Sequence, residues 1–161
     1  MITCTIEFER LNSYLPVQNM VNYLIYLSCT TNYIGTSDLN NIIQSANHYN
    51  PKFNITGILL YHNEYFLQML EGQESDLNRL FAKIEKDSRH RCLYEPLKGV
   101  MSERLFSQWS MGLVDLGSQS AIEKIDQFKE FINYIAYGDN PTESEDILDF
   151  LASFSAELKS H

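Results

Sequence analysis

The chain lacks the cysteine usage of a stapled scaffold. Its three cysteines, Cys4, Cys29 and Cys92, form no CxxC pair and no even framework. They fit a reducing cytoplasm, where a free cysteine is a small buried hydrophobe, and the cytoplasm is the expected location. Basic charge is also scarce. Twelve Lys and Arg stand against 21 Asp and Glu, for a net charge of −9. Phosphate repels such a chain, which argues against direct binding to nucleic acid or to an anionic membrane. No apolar run approaches the roughly 18 residues of a membrane span. Glu7, Glu9 and Arg10 break up the start, so it does not read as a secretory signal. His48, His62, His90 and His161 show no metal-ligand spacing. A phosphate-binding glycine loop, a G-x-S-x-G and a Cys/His nucleophile pair are all missing. The expectation is therefore a protein that is not an enzyme and holds no metal.

What is there is one domain's worth of ordinary globular sequence: 161 residues, 44% hydrophobic and 20% charged. Residues 1–20 read as an N-terminal leader of uncertain structure, with a weak alternation at Ile2, Cys4, Ile6 and Phe8. Asn22 to Cys29 is a β-type run. It places Leu24, Tyr26 and Ser28 on one face and Ile25, Leu27 and Cys29 on the other. Leu39, Ile42, Ile43 and Ala46 have helical spacing, with Thr36 or Ser37 as cap. Asn50-Pro51 is expected to end that helix, since a residue before proline avoids the helical region. Asn54 to Tyr61 and Tyr65 to Glu71, separated by His62-Asn63-Glu64, predict a β-hairpin. Leu77, Leu80, Phe81 and Ile84 predict a second helix, and Asp87 to His90 a charged loop. Arg91 to Val100 holds a fourth strand interrupted by Pro96. A helical turn at Glu103–Phe106 follows, then a fifth strand at Trp109–Leu113 with Trp109 and Met111 on one face.

This order predicts an α+β fold, a ferredoxin-like βαββαβ sandwich with a fifth strand. Two helices cover one sheet face. The other face is assigned to a C-terminal helical hairpin, residues 117–161, with stripes at Ala121, Ile122, Ile125, Phe128, Ile132 and Ile135 and at Ile147, Leu148, Leu151, Phe154 and Leu158. The intervening unit is placed at 21–116. The extension carries nine acidic residues against three lysines, most of the net charge, which marks a solvated outer face.

One stretch stands out, Tyr65-Phe66-Leu67-Gln68-Met69-Leu70-Glu71-Gly72. Alternation sets Gln68 between Phe66 and Leu70 on an apolar face. An unmet buried amide costs about 1–3 kcal/mol per group, so Gln68 requires polar company. A satisfied core glutamine meets that need. So does a constellation in which Tyr26, Gln68, Asn50 and Trp109 or Met111 converge between sheet and helices.

In this text the chain resembles the BLUF family of flavin-based blue-light sensors. The matching pieces are Leu24-Ile25-Tyr26-Leu27-Ser28, Asp38-Leu39, Asn50, Ile55-Thr56-Gly57-Ile58-Leu59-Leu60-Tyr61 and Phe66-Leu67-Gln68-Met69-Leu70-Glu71-Gly72. Ile84, Asp87, Arg89 and His90 follow, then Arg104, Phe106 and Trp109-Ser110-Met111-Gly112, so that the match spans about residues 22–115. The resemblance implies FAD, or FMN, slotted between the two helices. It implies that Asn50 binds the ring's polar edge, that Gln68 bridges Tyr26 and the flavin, and that Ile42 and Phe66 wall the pocket. Asp87, Arg89 and His90 would stand at the ribityl chain or mouth, and Trp109 or Met111 would touch Gln68. Where the family often carries Ser-Arg-x-Asn-Asn, this chain has Ala46-Asn47-His48-Tyr49-Asn50. The implied function is a photoreceptor. Its expected partners are the flavin, a second copy of the chain and a downstream signalling or regulatory protein. A flavin-dependent redox enzyme and a flavin-free ligand- or partner-binding module are the alternatives.

Overall fold

The computed structural model describes residues 20–92, 96–118, 122–137 and 144–158. Residues 1–19 of the predicted 1–20 leader, Ala121 of the first C-terminal stripe and the predicted break at Gly138–Pro141 lie outside them. The first strand, β1, runs Val21–Thr30 and is followed by helix α1, Thr36–Tyr49. The α1 cap is Gly35 rather than Thr36 or Ser37, and the Asp38 carboxylate accepts from the Gly35 N–H at 3.0 Å. The negative charge of Asp38 also suits the positive end of the helix.

Asn50 does not stop the chain in an extended conformation. It stays helical and leads a 3-10 turn, Asn50–Phe53, that ends on Asn54 in the left-handed region. Pro51 stands at the start of this new turn, where a missing N–H breaks no bond. Strands β2, Thr56–His62, and β3, Tyr65–Gly72, then form the hairpin. Its two turn residues, Asn63 and Glu64, both have positive φ, the geometry that matches strand twist in a tight hairpin. Helix α2 spans Glu74–Ile84. Strands β4, His90–Cys92, and β5, Leu97–Met101, are two pieces of the predicted fourth strand, and both pair antiparallel with β1.

The sheet order is β4-β1-β3-β2-β6, with β5 beside β4 on the outer edge of β1. This is the ferredoxin-like arrangement with one strand added. The addition, β6, covers Gly112–Asp115 and runs parallel to β2. It begins later than expected, so Trp109 and Met111 precede the strand rather than sit in it. The predicted helical turn at Glu103–Phe106 is also absent. The Leu105 and Phe106 N–H groups donate to the Glu71 carboxylate instead of to a helix.

Two cores share the sheet. Leu24, Tyr26, Phe66 and Leu70 face α1 and α2, together with Leu39, Leu77 and Phe81. Ile25, Leu27, Leu67 and Met69 face the other way, as strand alternation predicts. That second face is covered by α3, Ile122–Tyr137, α4, Ser144–Ala152, and α5, Ser155–Leu158. Phe128, Phe131, Ile147, Phe150, Leu151 and Phe154 supply the packing. Ile122 does not join the stripe and is 74% exposed. The second predicted helix is split at Ser153, whose hydroxyl donates to the Phe150 carbonyl at 2.6 Å. Phe154 is fully buried, and removing a buried phenylalanine costs about 3–5 kcal/mol. Phe154→Ala should lose that much in denaturant unfolding; a loss below about 1 kcal/mol would contradict this packing.

Candidate functional site

Strand pairing brings the chemistry together. Tyr26 on β1 and Gln68 on β3 are direct partners across the antiparallel ladder. Their side chains fall on the same face, and the Tyr26 hydroxyl donates to Gln68 Oε1. The other end of the amide, Nε2, lies 3.3 Å from Met111 Sδ. A thioether is a weak acceptor, so Gln68 is held firmly at its oxygen and loosely at its nitrogen. All three side chains are buried.

Asn50 is 1% exposed. Its Nδ2 donates to the Ser110 carbonyl at 2.8 Å, one residue before Met111. Trp109 and Met111 do not share a face. Met111 packs in the α1–α2 core against Gln68, whereas Trp109 packs against the core beneath α3–α5. The chain bends through 107–111 before β6 begins, so strand alternation does not govern them. Of the two candidates, Met111 is the one at the amide.

A cavity of about 430 Å³ opens between α1, α2 and the sheet. That volume lies in the range of about 300–1,000 Å³ usual for small-molecule sites. Its floor is Tyr26, Ser28, Leu59, Phe66, Gln68 and Asn50. Ile42, Ala46 and Tyr49 form the α1 wall, and Leu80, Lys83 and Ile84 the α2 wall. His48, Asp87, Arg89 and His90 line the outer part. Of the expected residues, only Trp109 and Met111 are not in the lining, and Met111 reaches it through Gln68.

Electrostatics divide along the same axis. The Arg89 guanidinium grips Asp87 with Nε at 2.9 Å from one carboxylate oxygen and 3.0 Å from the other. Those hydrogen bonds hold the Asp87 carboxyl at about 2. Burial lowers the His90 pKa, so the ring is neutral at pH 7. Deeper in, Ser28 is 1% exposed and its hydroxyl has no hydrogen-bond partner; in the outer part His90 Nδ1 has none either. Unmet buried groups cost about 1–3 kcal/mol each. Their presence along a mostly apolar slot fits a flat ligand with polar edges, which is what a flavin ring is.

Several lining residues were not singled out from sequence. Ser28 could have been, since it shares a face with Tyr26. Leu80 and Ile84 carry the i, i+4 signal of the α2 stripe, which marks core and cavity wall alike. Lys83 has no such signal, and Tyr49 stands out only as part of the departure from the family's Ser-Arg-x-Asn-Asn. Lys83 Nζ donates to the Tyr49 hydroxyl at 2.8 Å and so ties α1 to α2. Among the described residues there is no cluster of His, Cys, Asp and Glu fit to hold a metal, and no helix long and apolar enough to cross a membrane.

The chain is 31% identical over 96 residues to the photoactivated adenylate cyclase subunit alpha of Euglena gracilis, which is 58% of this chain and 9% of that protein. It is 32% identical over 97 residues to the blue light- and temperature-regulated antirepressor BluF of Escherichia coli K12, 60% of this chain and 24% of BluF. It thus spans 9% and 24% of these two relatives. The structure of BlsA in its photo-activated state superposes with a TM-score of 0.66 at 30% identity, covering 84% of this chain and 94% of that one. The family model described as "BLUF: Sensors of blue-light using FAD" matches residues 21–112. That span holds β1 through the first residue of β6, and with it the Tyr26–Gln68 pair and every cavity-lining residue, so the chain belongs to the BLUF family of blue-light sensors.

Proposed function

We propose that this chain is a blue-light photoreceptor. FAD occupies the cavity between α1 and α2, and light is converted there into a rearranged hydrogen bond. The observation that carries the reading is the buried Tyr26–Gln68 bond on the cavity floor. When bound, the flavin supplies blue absorption and, once excited, a strong appetite for an electron.

The protein's share follows from its side chains. Asn50 and the unpartnered Ser28 hydroxyl offer polar contacts to a ring edge, while Ile42, Leu59 and Phe66 exclude water. His48 and Arg89 line the outer part, where a charged tail would emerge, and Lys83 stands on the α2 wall. Tyr26 is the electron donor, and its phenolic proton passes to Gln68. An amide suits this because it carries both a donor and an acceptor. Both electron and proton return to Tyr26, so the cycle consumes nothing. Gln68 returns in a different orientation or tautomer. Its weak hold on Met111 makes the turn inexpensive, and a dry pocket keeps the new bond undiluted by water.

The change passes to Met111, to the bend before β6, and on to α3–α5, a local two-state switch with a remote readout. We place the flavin-binding unit at 21–116 and the output extension at 117–161. The signal leaves by protein contact. The relatives' own names join such a domain to a cyclase and to an antirepressor, which supports a downstream protein here. The test is a visible spectrum before and after blue illumination. Purified protein should be yellow, with flavin absorption moving slightly to the red in light and returning in darkness. A colourless protein that takes up no added FAD defeats the reading.

A further inference from the structure

One buried acid plays no part in this chemistry. Glu71 is fully buried on β3, three residues from Gln68 and on the opposite face. Three donors converge on its carboxylate: Thr56 Oγ1 at 2.7 Å, the Leu105 N–H at 2.6 Å and the Phe106 N–H at 3.2 Å. A carboxylate is acceptor-only and suits this donor set. Arg104 braces the cluster. Its Nη1 donates to Thr56 Oγ1 at 2.8 Å and to the Glu71 carbonyl at 2.9 Å, and its Nη2 donates to the Asn54 carbonyl at 2.8 Å.

The segment so gripped leads to Met111. Along it, Leu105, Phe106 and Trp109 pack in the core under α3–α5, and Met111 packs in the cavity-side core. Strand β3 therefore holds this segment at two points, Glu71 from one face and Gln68 from the other. The first hold is the Glu71 carboxylate on the Leu105 and Phe106 N–H groups, joined by Arg104 on the Glu71 carbonyl. The second is a weak contact to sulfur.

We propose that Glu71 is a positioning residue for the light response: it anchors 104–106 so that Met111 sits against Gln68, and so that motion at Met111 is levered into the α3–α5 core. This rests on the photoreceptor reading. When Gln68 turns, the Met111 side chain loses its contact while Glu71 holds 104–106 and Asn50 holds the Ser110 carbonyl. Met111 then moves against a backbone kept in place from 104–106 onward, instead of the segment drifting as a whole. The same anchor sets the barrier for Gln68 to return, because Met111 must reseat against it.

The test uses the full chain with flavin bound. Glu71→Gln replaces one acceptor oxygen by an NH2 that points donors at donors. The size and position of the light-induced red shift should match the parent, since Tyr26 and Gln68 are untouched. Dark recovery should change about tenfold, the effect of weakening one or two hydrogen bonds on a rate. The light-minus-dark difference in amide exchange across α3–α5 should fall to less than half. Thr56→Val, which deletes only the bridging hydroxyl, should move both readouts in the same direction by less, and it decides the matter if Glu71→Gln fails to bind flavin. Parental recovery and exchange in these variants would overturn the proposal. So would loss of the red shift itself, which would put Glu71 in the photochemistry. A parent chain with no red shift defeats the photoreceptor reading instead.

Discussion

Tyr26→Phe should keep the flavin and lose the light-induced red shift completely. The substitution deletes one oxygen and leaves the ring, which packs 5.1 Å from Phe81 between centroids. Volume and shape barely change, so the cavity and its affinity persist. What goes is the O–H that donates to Gln68 Oε1. Without it Gln68 receives no proton, and a phenyl ring is a far poorer electron donor than a phenol. The measurement is a light-minus-dark absorption spectrum at matched flavin content. An intact shift would remove Tyr26 from the relay.

Gln68→Leu should have the same end result by a different route. Leucine fills similar space but offers neither donor nor acceptor. Replacing a polar side chain with an apolar one of like shape is often close to neutral for stability, so folding and flavin content should hold. The shift should vanish, because nothing remains to turn. If the two residues act as one unit, the double variant should look like either single one in the spectrum. A residual shift in Gln68→Leu would show that another group rearranges.

Much of the fold was legible because its signals are local. The β1 run, the stripes of α1 and α2 and the polar break at 62–64 each follow from residues within a few positions of one another. Alternation alone put Tyr26 and Gln68 on inward faces. It could not say that they are opposite one another; that depends on register, and register is set by the hairpin and by which faces are buried. The misread stretch was 103–111. Its apparent helical turn and strand are overruled by groups far away in sequence: Glu71 takes its N–H groups, and Gly57 N–H donates to the Trp109 carbonyl at 3.2 Å. The resulting bend sends Trp109 to one core and Met111 to the other, which no alternation rule anticipates. Asn50-Pro51 does end α1 at Tyr49, as expected, but Asn50 keeps helical angles. Proline restricts its predecessor, yet a new turn starting at Pro51 satisfies both.

Strand β3 has only its first residue, Tyr65, partly open to water; the other seven are buried. A sheet with one wet face can bleed off a disturbance into solvent. Here one side is close-packed beneath α3–α5, and such interiors compress very little, while the other side carries the cavity. A displacement toward the packed side must therefore be given room on the cavity side. The strand acts as a diaphragm between a packed chamber and a hollow one, so whatever fills the hollow side presses on the packed side.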